Sequence, residues 1–306
     1  MQVHLMPSCC NLAAQLACTV CTMAVKPSPT TLRRQLGAEL RRLRADRTVA
    51  DVAAELGWSE SKLSRIETAN TGVRPKDLDR LLEAYAVAED ARARIRALAG
   101  QSRQRAWWEA YGDVLPNAYE TYIGFEAEAI GIYNYEAQIV PGLLQTAEYA
   151  SAVIQADGIY EDDEVHGQRV AVRMARQAVL TRDPPPKLSV ILDEAVLRRQ
   201  IGGPDVMRRQ LTSLAEANER KMITVQILPF SAGAHRALAG SFVILEFSGN
   251  SDHPLVYCEG MTGGVFRSRQ DELRSYWMSY ESLRSVALSP KLSVELINKV
   301  AHASQQ

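Results

Sequence analysis

The 306-residue chain has no apolar run that approaches the roughly 18 residues a membrane helix requires, which excludes a helical membrane span. Cysteine is scarce. Four of the five, Cys9, Cys10, Cys18 and Cys21, crowd into the first 21 residues and Cys258 stands alone, so no disulfide framework can staple the fold. Eighteen glycines and thirteen prolines are too few for a collagenous or low-complexity chain. The motifs that announce common catalytic machinery are also missing: there is no HExxH, no Walker loop, no GxSxG elbow, and Gly202-Gly203 and Gly263-Gly264 read as short turn signals. What remains is an ordinary core-forming composition, 46% hydrophobic and 23% charged, long enough for two or three packed domains. The formal charge of -1 conceals an asymmetry. Residues 30–106 carry 16 Lys and Arg against 11 Asp and Glu, whereas residues 107–306 carry 18 against 25. A bound polyanion would therefore meet the front of the molecule.

Residues 1–29 read as a disordered leader. Cys18-x-x-Cys21 behind Cys9-Cys10 has a spacing at which thiolates can share a zinc ion, but no helix or strand punctuation flanks it. The apolar stretch Leu12 to Val25 lacks the basic start of a signal peptide and is broken by Gln15, Cys18, Thr19 and Thr22. Met23 opens a polar leader, which makes Met1 to Thr22 an expected upstream extension outside the fold.

From Thr31 the pattern turns helical. Leu32, Leu36, Leu40 and Leu43 share one face, and Arg33, Arg34, Arg41, Arg42 and Arg44 cover the other. Thr48 is a good N-cap for a second helix whose Val49, Val52, Ala53 and Leu56 line one stripe, and Gly57 supplies its positive-φ stop. Ser59 caps a third, Glu60 to Thr68, in which Leu63 and Ile66 point inward while Glu60, Ser61, Lys62, Ser64 and Arg65 face out. Two short helices joined by a turn containing glycine form a helix-turn-helix, and the outward chemistry suits a major groove. Arg65 can bond a guanine edge bidentately, Ser61 can meet a base or a phosphate, and Glu60 can accept from cytosine N4. Ser59 and Lys62 are expected to hold phosphates and set the register.

These residues carry a resemblance. Leu36-Gly37-x-Glu39-Leu40-Arg41-x-Leu43-Arg44, followed by Leu56-Gly57-Trp58-Ser59-x-Ser61-Lys62-Leu63-Ser64-Arg65-Ile66-Glu67, resembles Xre-type (lambda-repressor-like) regulators over about Leu32 to Leu98. The resemblance implies an all-α five-helix DNA-binding domain at residues 30–100, with Pro75 to Tyr85 and Ala88 to Ala99 as its last two helices. It also brings Arg74 toward the DNA backbone. The sequence departs from the pattern at Val49, where a phosphate-contacting Gln is usual, and at Ala69-Asn70-Thr71-Gly72, where a Gly is usual.

Residues 101–116 read as a linker helix containing Trp107-Trp108, and residues 117–306 as a mixed α+β domain. Helical stretches are expected at Tyr119 to Ala129, Thr146 to Asp157, Asp163 to Leu180, Gly202 to Asn218, Gln270 to Ala287 and Pro290 to Ala301. Strands are expected at Ile130 to Glu136, Leu188 to Asp193, Ile223 to Leu228, Ser241 to Phe247 and Leu255 to Glu259. Pro141-Gly142-Leu143-Leu144-Gln145 reads as a buried turn. Glu136, Asp193, Glu194, His235, His253 and Glu259 have no diagnostic ligand spacing, and helix caps and salt bridges with Arg198, Arg199 or Arg267 account for the carboxylates better than catalysis does. Tyr135-Glu136-x-Gln138-x-Val140-Pro141-Gly142-Leu143-Leu144-Gln145-Thr146, Leu192-Asp193-Glu194-x-x-Leu197-Arg198-Arg199, Leu228-Pro229-Phe230-x-x-Gly233-x-His235 and Tyr257-x-Glu259-Gly260-x-Thr262-Gly263-Gly264 resemble the C-terminal domain of unknown function of actinobacterial WhiJ-like regulators. Ala137 replaces a usual Pro. That resemblance implies an antitoxin-like regulator with a small BldB-type partner protein. The expectation is a cytoplasmic, non-enzymatic transcription regulator that needs no cofactor or metal. It would bind double-stranded DNA as a homodimer joined through the rear domain, where apolar surface is left over.

Overall fold

The computed structural model describes residues 29–69, 71–102, 111, 115–157, 162–248, 254–261 and 263–303. The leader with its four cysteines, most of the expected linker helix with Trp107-Trp108, and His253 lie outside the described residues. The front of the chain is all-α, with α1 (Pro29–Arg44), α2 (Val49–Leu56), α3 (Glu60–Glu67), α4 (Pro75–Ala84) and α5 (Glu89–Gln101). Their apolar stripes converge as the periodicity predicts: Leu36, Leu40, Val52, Leu56, Leu63 and Ile66 meet Leu78, Leu81, Leu82 and Ile95 in one buried cluster. Gly37 permits the closest approach of α1 to α3, because a Cβ there would sit 2.6 Å from the Glu67 carbonyl oxygen.

Three chain reversals in this domain use alanine in the left-handed region, Ala45 at φ 51°, Ala69 at φ 60° and Ala86 at φ 49°. Glycine is the usual occupant of such positions, since an L side chain there costs about 1–2 kcal/mol. The missing glycine after Glu67 is thus replaced by a strained Ala69, and the helix order is unchanged.

The rear domain is mixed α and β, as expected. It contains α6 (Asn117–Glu128), β1 (Gly131–Glu136), α7 (Ala147–Ala156), α8 (Asp163–Arg176), β2 (Lys187–Asp193), α9 (Glu194–Arg198), α10 (Pro204–Ala217) and β3 (Ile223–Leu228). Then come β4 (Phe242–Glu246), β5 (Leu255–Gly260), β6 (Gly263–Arg267), α11 (Gln270–Val286) and α12 (Pro290–Ala303). The six strands form one sheet in the order β3-β2-β1-β4-β5-β6. The first three run parallel through helical crossovers, and β4, β5 and β6 add antiparallel neighbours. Tyr122 and Phe125 of α6, Tyr149 of α7, Met207, Leu211 and Leu214 of α10, and Ile297 and Val300 of α12 cover one face of the sheet. Leu273, Tyr280 and Leu283 of α11 cover the other. A sheet clad on both sides explains why β2 reads as an almost continuous apolar run. No helix among the described residues is long and apolar enough to cross a membrane.

Two expectations need correction. The helix expected over Asp163 to Leu180 ends at Arg176 and tightens into a 3-10 turn, Gln177–Thr181, where the Gln177 amide donates to the carbonyls of Gly142 (3.2 Å) and Gln145 (2.7 Å). Gly263-Gly264 is not merely a turn but opens β6. The Tyr257 ring of the neighbouring strand lies where a Gly264 side chain would stand, its Cε2 only 2.1 Å from the position a Cβ would take, so glycine is required by packing.

The Pro141–Gln145 turn is buried and tied down by side-chain amides from within it and from α10. Gln145 Nε2 donates to Val140 O (2.7 Å), Gln210 Nε2 donates to Leu144 O (2.7 Å), and the Gln210 carbonyl oxygen accepts from Thr146 N (2.7 Å). Beside it Arg176 and Glu126 form a bidentate buried ion pair at 2.8 and 2.7 Å that ties α8 to α6.

Candidate nucleic-acid interface

The interface begins with two caps. Thr48 Oγ1 accepts from Asp51 N (3.1 Å) while the Asp51 carboxylate accepts from Thr48 N (3.3 Å), a complete capping box that starts α2. The hydroxyl also donates to that carboxylate, and these bonds hold the Asp51 carboxyl below its ordinary range. Gly57 at φ 66° ends the helix in the left-handed conformation, and Ser59 Oγ accepts from Lys62 N (3.2 Å) to start α3. The chain therefore reverses between two helices in three residues, Gly57-Trp58-Ser59.

Helix α3 is seated from beneath by Leu63 and Ile66. Ser59, Glu60, Ser61, Ser64 and Arg65 are exposed and Lys62 is half-buried, so the outward set expected from the periodicity stands on one accessible surface. Arg65 donates from Nε to Ser61 O one turn back (3.1 Å), an arrangement that keeps the guanidinium against its own helix. Arg74 is the exposed N-cap residue of α4, its side chain making no capping bond. Lys62 is engaged rather than free: its ammonium lies 3.7 Å from the Trp58 ring centroid and 3.1 Å from Asp77 Oδ2. Arg80 stands over the same indole at 5.6 Å and donates to Leu56 O (2.5 Å). Trp58 thus braces the turn between two cations, a role that only its neighbours in space reveal.

Sequence reasoning missed what holds α3 in place. Glu67, at its C-terminal end, is buried and accepts from Arg44 Nε (2.8 Å) and Nη2 (3.1 Å), and the Tyr85 hydroxyl donates to it at 3.4 Å. Arg41 caps the Glu67 carbonyl at 3.2 Å. Burial, with the Glu67 charge beside it, pushes the Tyr85 phenol well above its ordinary range, and the Glu67 hydrogen bond raises Arg44 further. Two of the arginines that cover the outer face of α1, Arg41 and Arg44, are clamps on the reading helix. The available signal was Glu67 itself, a charged residue beside Ile66 on a helix that short.

The carboxylates of the rear domain are placed otherwise. Asp193 caps α9 by accepting from Ala195 N (2.8 Å), and Glu194 pairs with Arg198 (2.8 Å) and accepts from Phe230 N (3.1 Å). Arg267 is paired with Glu272. Glu136, at the end of β1, is raised to about 7 chiefly by burial, with Glu259 adding repulsion. His235 stacks edge-on against Tyr135. Among the described residues no group of three or more His, Cys, Asp and Glu is arranged to hold a metal ion.

A capped helix pair of this geometry, on an all-α front domain followed by a mixed α and β domain, defines a helix-turn-helix protein of the DNA-binding regulator class. Comparison with known families agrees: a helix-turn-helix domain model matches residues 35–95. A second model, the domain of unknown function DUF5753, matches residues 119–299, more than half of the chain, and the chain belongs to that family. No curated protein and no solved structure matches it.

Proposed function

We propose that the protein is a sequence-specific transcription regulator of the Xre type. In this reading α3 enters the major groove, and the WhiJ-like rear domain supplies dimerisation and senses a partner or ligand. The observation that carries it is the exposed row Glu60, Ser61, Ser64 and Arg65 on a helix fixed at one end by Ser59 and at the other by Glu67. Arg65 reads a base. Lys62 exchanges Asp77 for a phosphate, and Ser59 and Arg74 add backbone contacts. Catalysis has no part in this reading, since Asp193 and Glu194 are spent on a cap and an ion pair. The rival, an antitoxin-like protein that neutralises a small BldB-type partner, rests on resemblance alone.

The test is binding to a randomised duplex library. Arg65→Ala is expected to cost about 1–3 kcal/mol and to relax one operator position, whereas Lys62→Ala weakens all sequences alike and flattens the salt dependence by about one unit. Wild type and Arg65→Ala selecting the same sequences with equal affinity would remove the reading.

A further inference from the structure

A sheet edge presents a row of unpaired main-chain donors and acceptors, and proteins normally cover it or place charge or proline on it. The two edges of this sheet differ in that respect. Along β3 the outward groups are met: Val225 N donates to Asn218 Oδ1 (2.8 Å), Asn218 Nδ2 donates to Val225 O (3.3 Å), Ile227 N donates to Ser293 Oγ (2.9 Å) and Ile227 O accepts from Leu288 N (2.8 Å). Along β6 no described residue beyond its β5 neighbour bonds to the backbone of Gly263–Arg267. The strand carries no proline and no charge before Arg267, and Arg267 is held aside by Glu272 at 2.8 Å. Val265 is 53% exposed, and Met261 at the hairpin tip is fully exposed.

We propose that β6 is a dimerisation edge, on which a second copy of this chain lays its own β6 antiparallel across a twofold axis, continuing the sheet from one copy into the other. This rests on the DNA-binding reading above for its purpose, though not for its geometry. A row of main-chain groups selects an extended strand, because a helix has already spent its own. The copy's β6 has the same unmet groups, so one closed, self-complementary contact satisfies both strands at once. With the axis at Val265, that side chain meets its twin and no like charges face each other at the centre.

The same edge is joined to the reading head. Phe125 of α6 packs edge-on against Phe266 of β6 (5.3 Å), and the Arg34 guanidinium of α1 stands over Phe125 (5.9 Å) and Phe247 (4.7 Å). Pairing through β6 therefore links the front domains of the two copies through α1, α6 and the joined sheet.

Sedimentation equilibrium of the full chain at micromolar concentration should give a dimer. Val265→Lys should give a monomer with an unchanged circular dichroism spectrum, while Leu238→Lys, a charge placed on a still more exposed apolar residue elsewhere, leaves the dimer intact. As a check that needs no variant, amide hydrogen exchange of the wild-type Gly263–Arg267 segment should slow as concentration rises through the dimer range. On a duplex with two half-sites, Val265→Lys should bind about 100-fold more weakly, with single half-site binding unchanged. A dimeric Val265→Lys, a monomeric wild type, or concentration-independent exchange would each overturn the proposal. A wild type that dimerises through β6 but binds no duplex would overturn the DNA-binding reading and leave the interface standing.

Discussion

Replacing Glu67 by alanine tests whether the reading helix is held by one buried ion pair. The Glu67 side chain is 3% exposed and its partner Arg44 16% exposed, and the two are joined by two charge-assisted hydrogen bonds. Removing one member of a buried pair costs about 3–5 kcal/mol, because the survivor is left charged and unpaired. Arg44 keeps some access to water, which puts the expectation near the lower end, about 3 kcal/mol. A domain of this size, residues 29–102, is stabilised by about 4–11 kcal/mol in total, so the variant should lose a large part of it. The corresponding fall in Tm is about 12–24 °C for the front-domain transition, measurable by differential scanning calorimetry of the full chain. High salt should change this little, since a buried pair is poorly screened. Arg44→Ala should cost a similar amount, and the double variant far less than the sum of the two. A Glu67→Ala loss below about 1 kcal/mol, or strict additivity with Arg44→Ala, would refute the reasoning and leave the hydrophobic contacts of Leu63 and Ile66 as what holds α3.

Gly264→Ala should destabilise the rear domain by about 2 kcal/mol or more, because the new methyl collides with the Tyr257 ring; chemical denaturation measures it, and a neutral result would mean that the ring moves aside freely. Ala86→Gly should stabilise the front domain by about 0.5–1 kcal/mol, since Ala86 is exposed at φ 49° and loses only strain; an unchanged or lower Tm contradicts this. Glu136 has an ordinary value of 4.5 that burial raises to about 7, so the folded chain holds its proton more tightly than the unfolded chain does. Its contribution is complete below pH 4.5 and is lost as the pH rises through 7, about 3 kcal/mol, a net value in which Ser241, Asn134 and Arg173 already offset part of the burial. Glu136→Gln should flatten the melting profile between pH 5 and pH 8, and a profile unchanged by that substitution rules out Glu136 as the titrating group.

The front domain was legible in the sequence because its determinants are local. A leucine every three or four residues, Thr48 and Ser59 as caps and Gly57 as the stop depend only on neighbours within one or two helical turns, and each bonds where the pattern puts it. The exposed set on α3 followed from the same period once Leu63 and Ile66 were assigned inward. The strands β1 to β5 were legible for a similar reason, as short apolar runs between turn residues. Only the tertiary structure decided the rest. It joined Glu67 to Arg44 and Tyr85 across 23 and 18 residues, and set Lys62 on Trp58 and Asp77. The pairings made by Glu67 and by Asp77 join residues that no local period relates. It likewise made a strand of Gly263-Gly264, which local propensity reads as a turn, because the Tyr257 ring on the next strand fills the space their missing side chains leave. It also showed that described residues cover the β3 edge and that none bonds to the outer backbone of β6, since an edge is defined by what lies beside it in space.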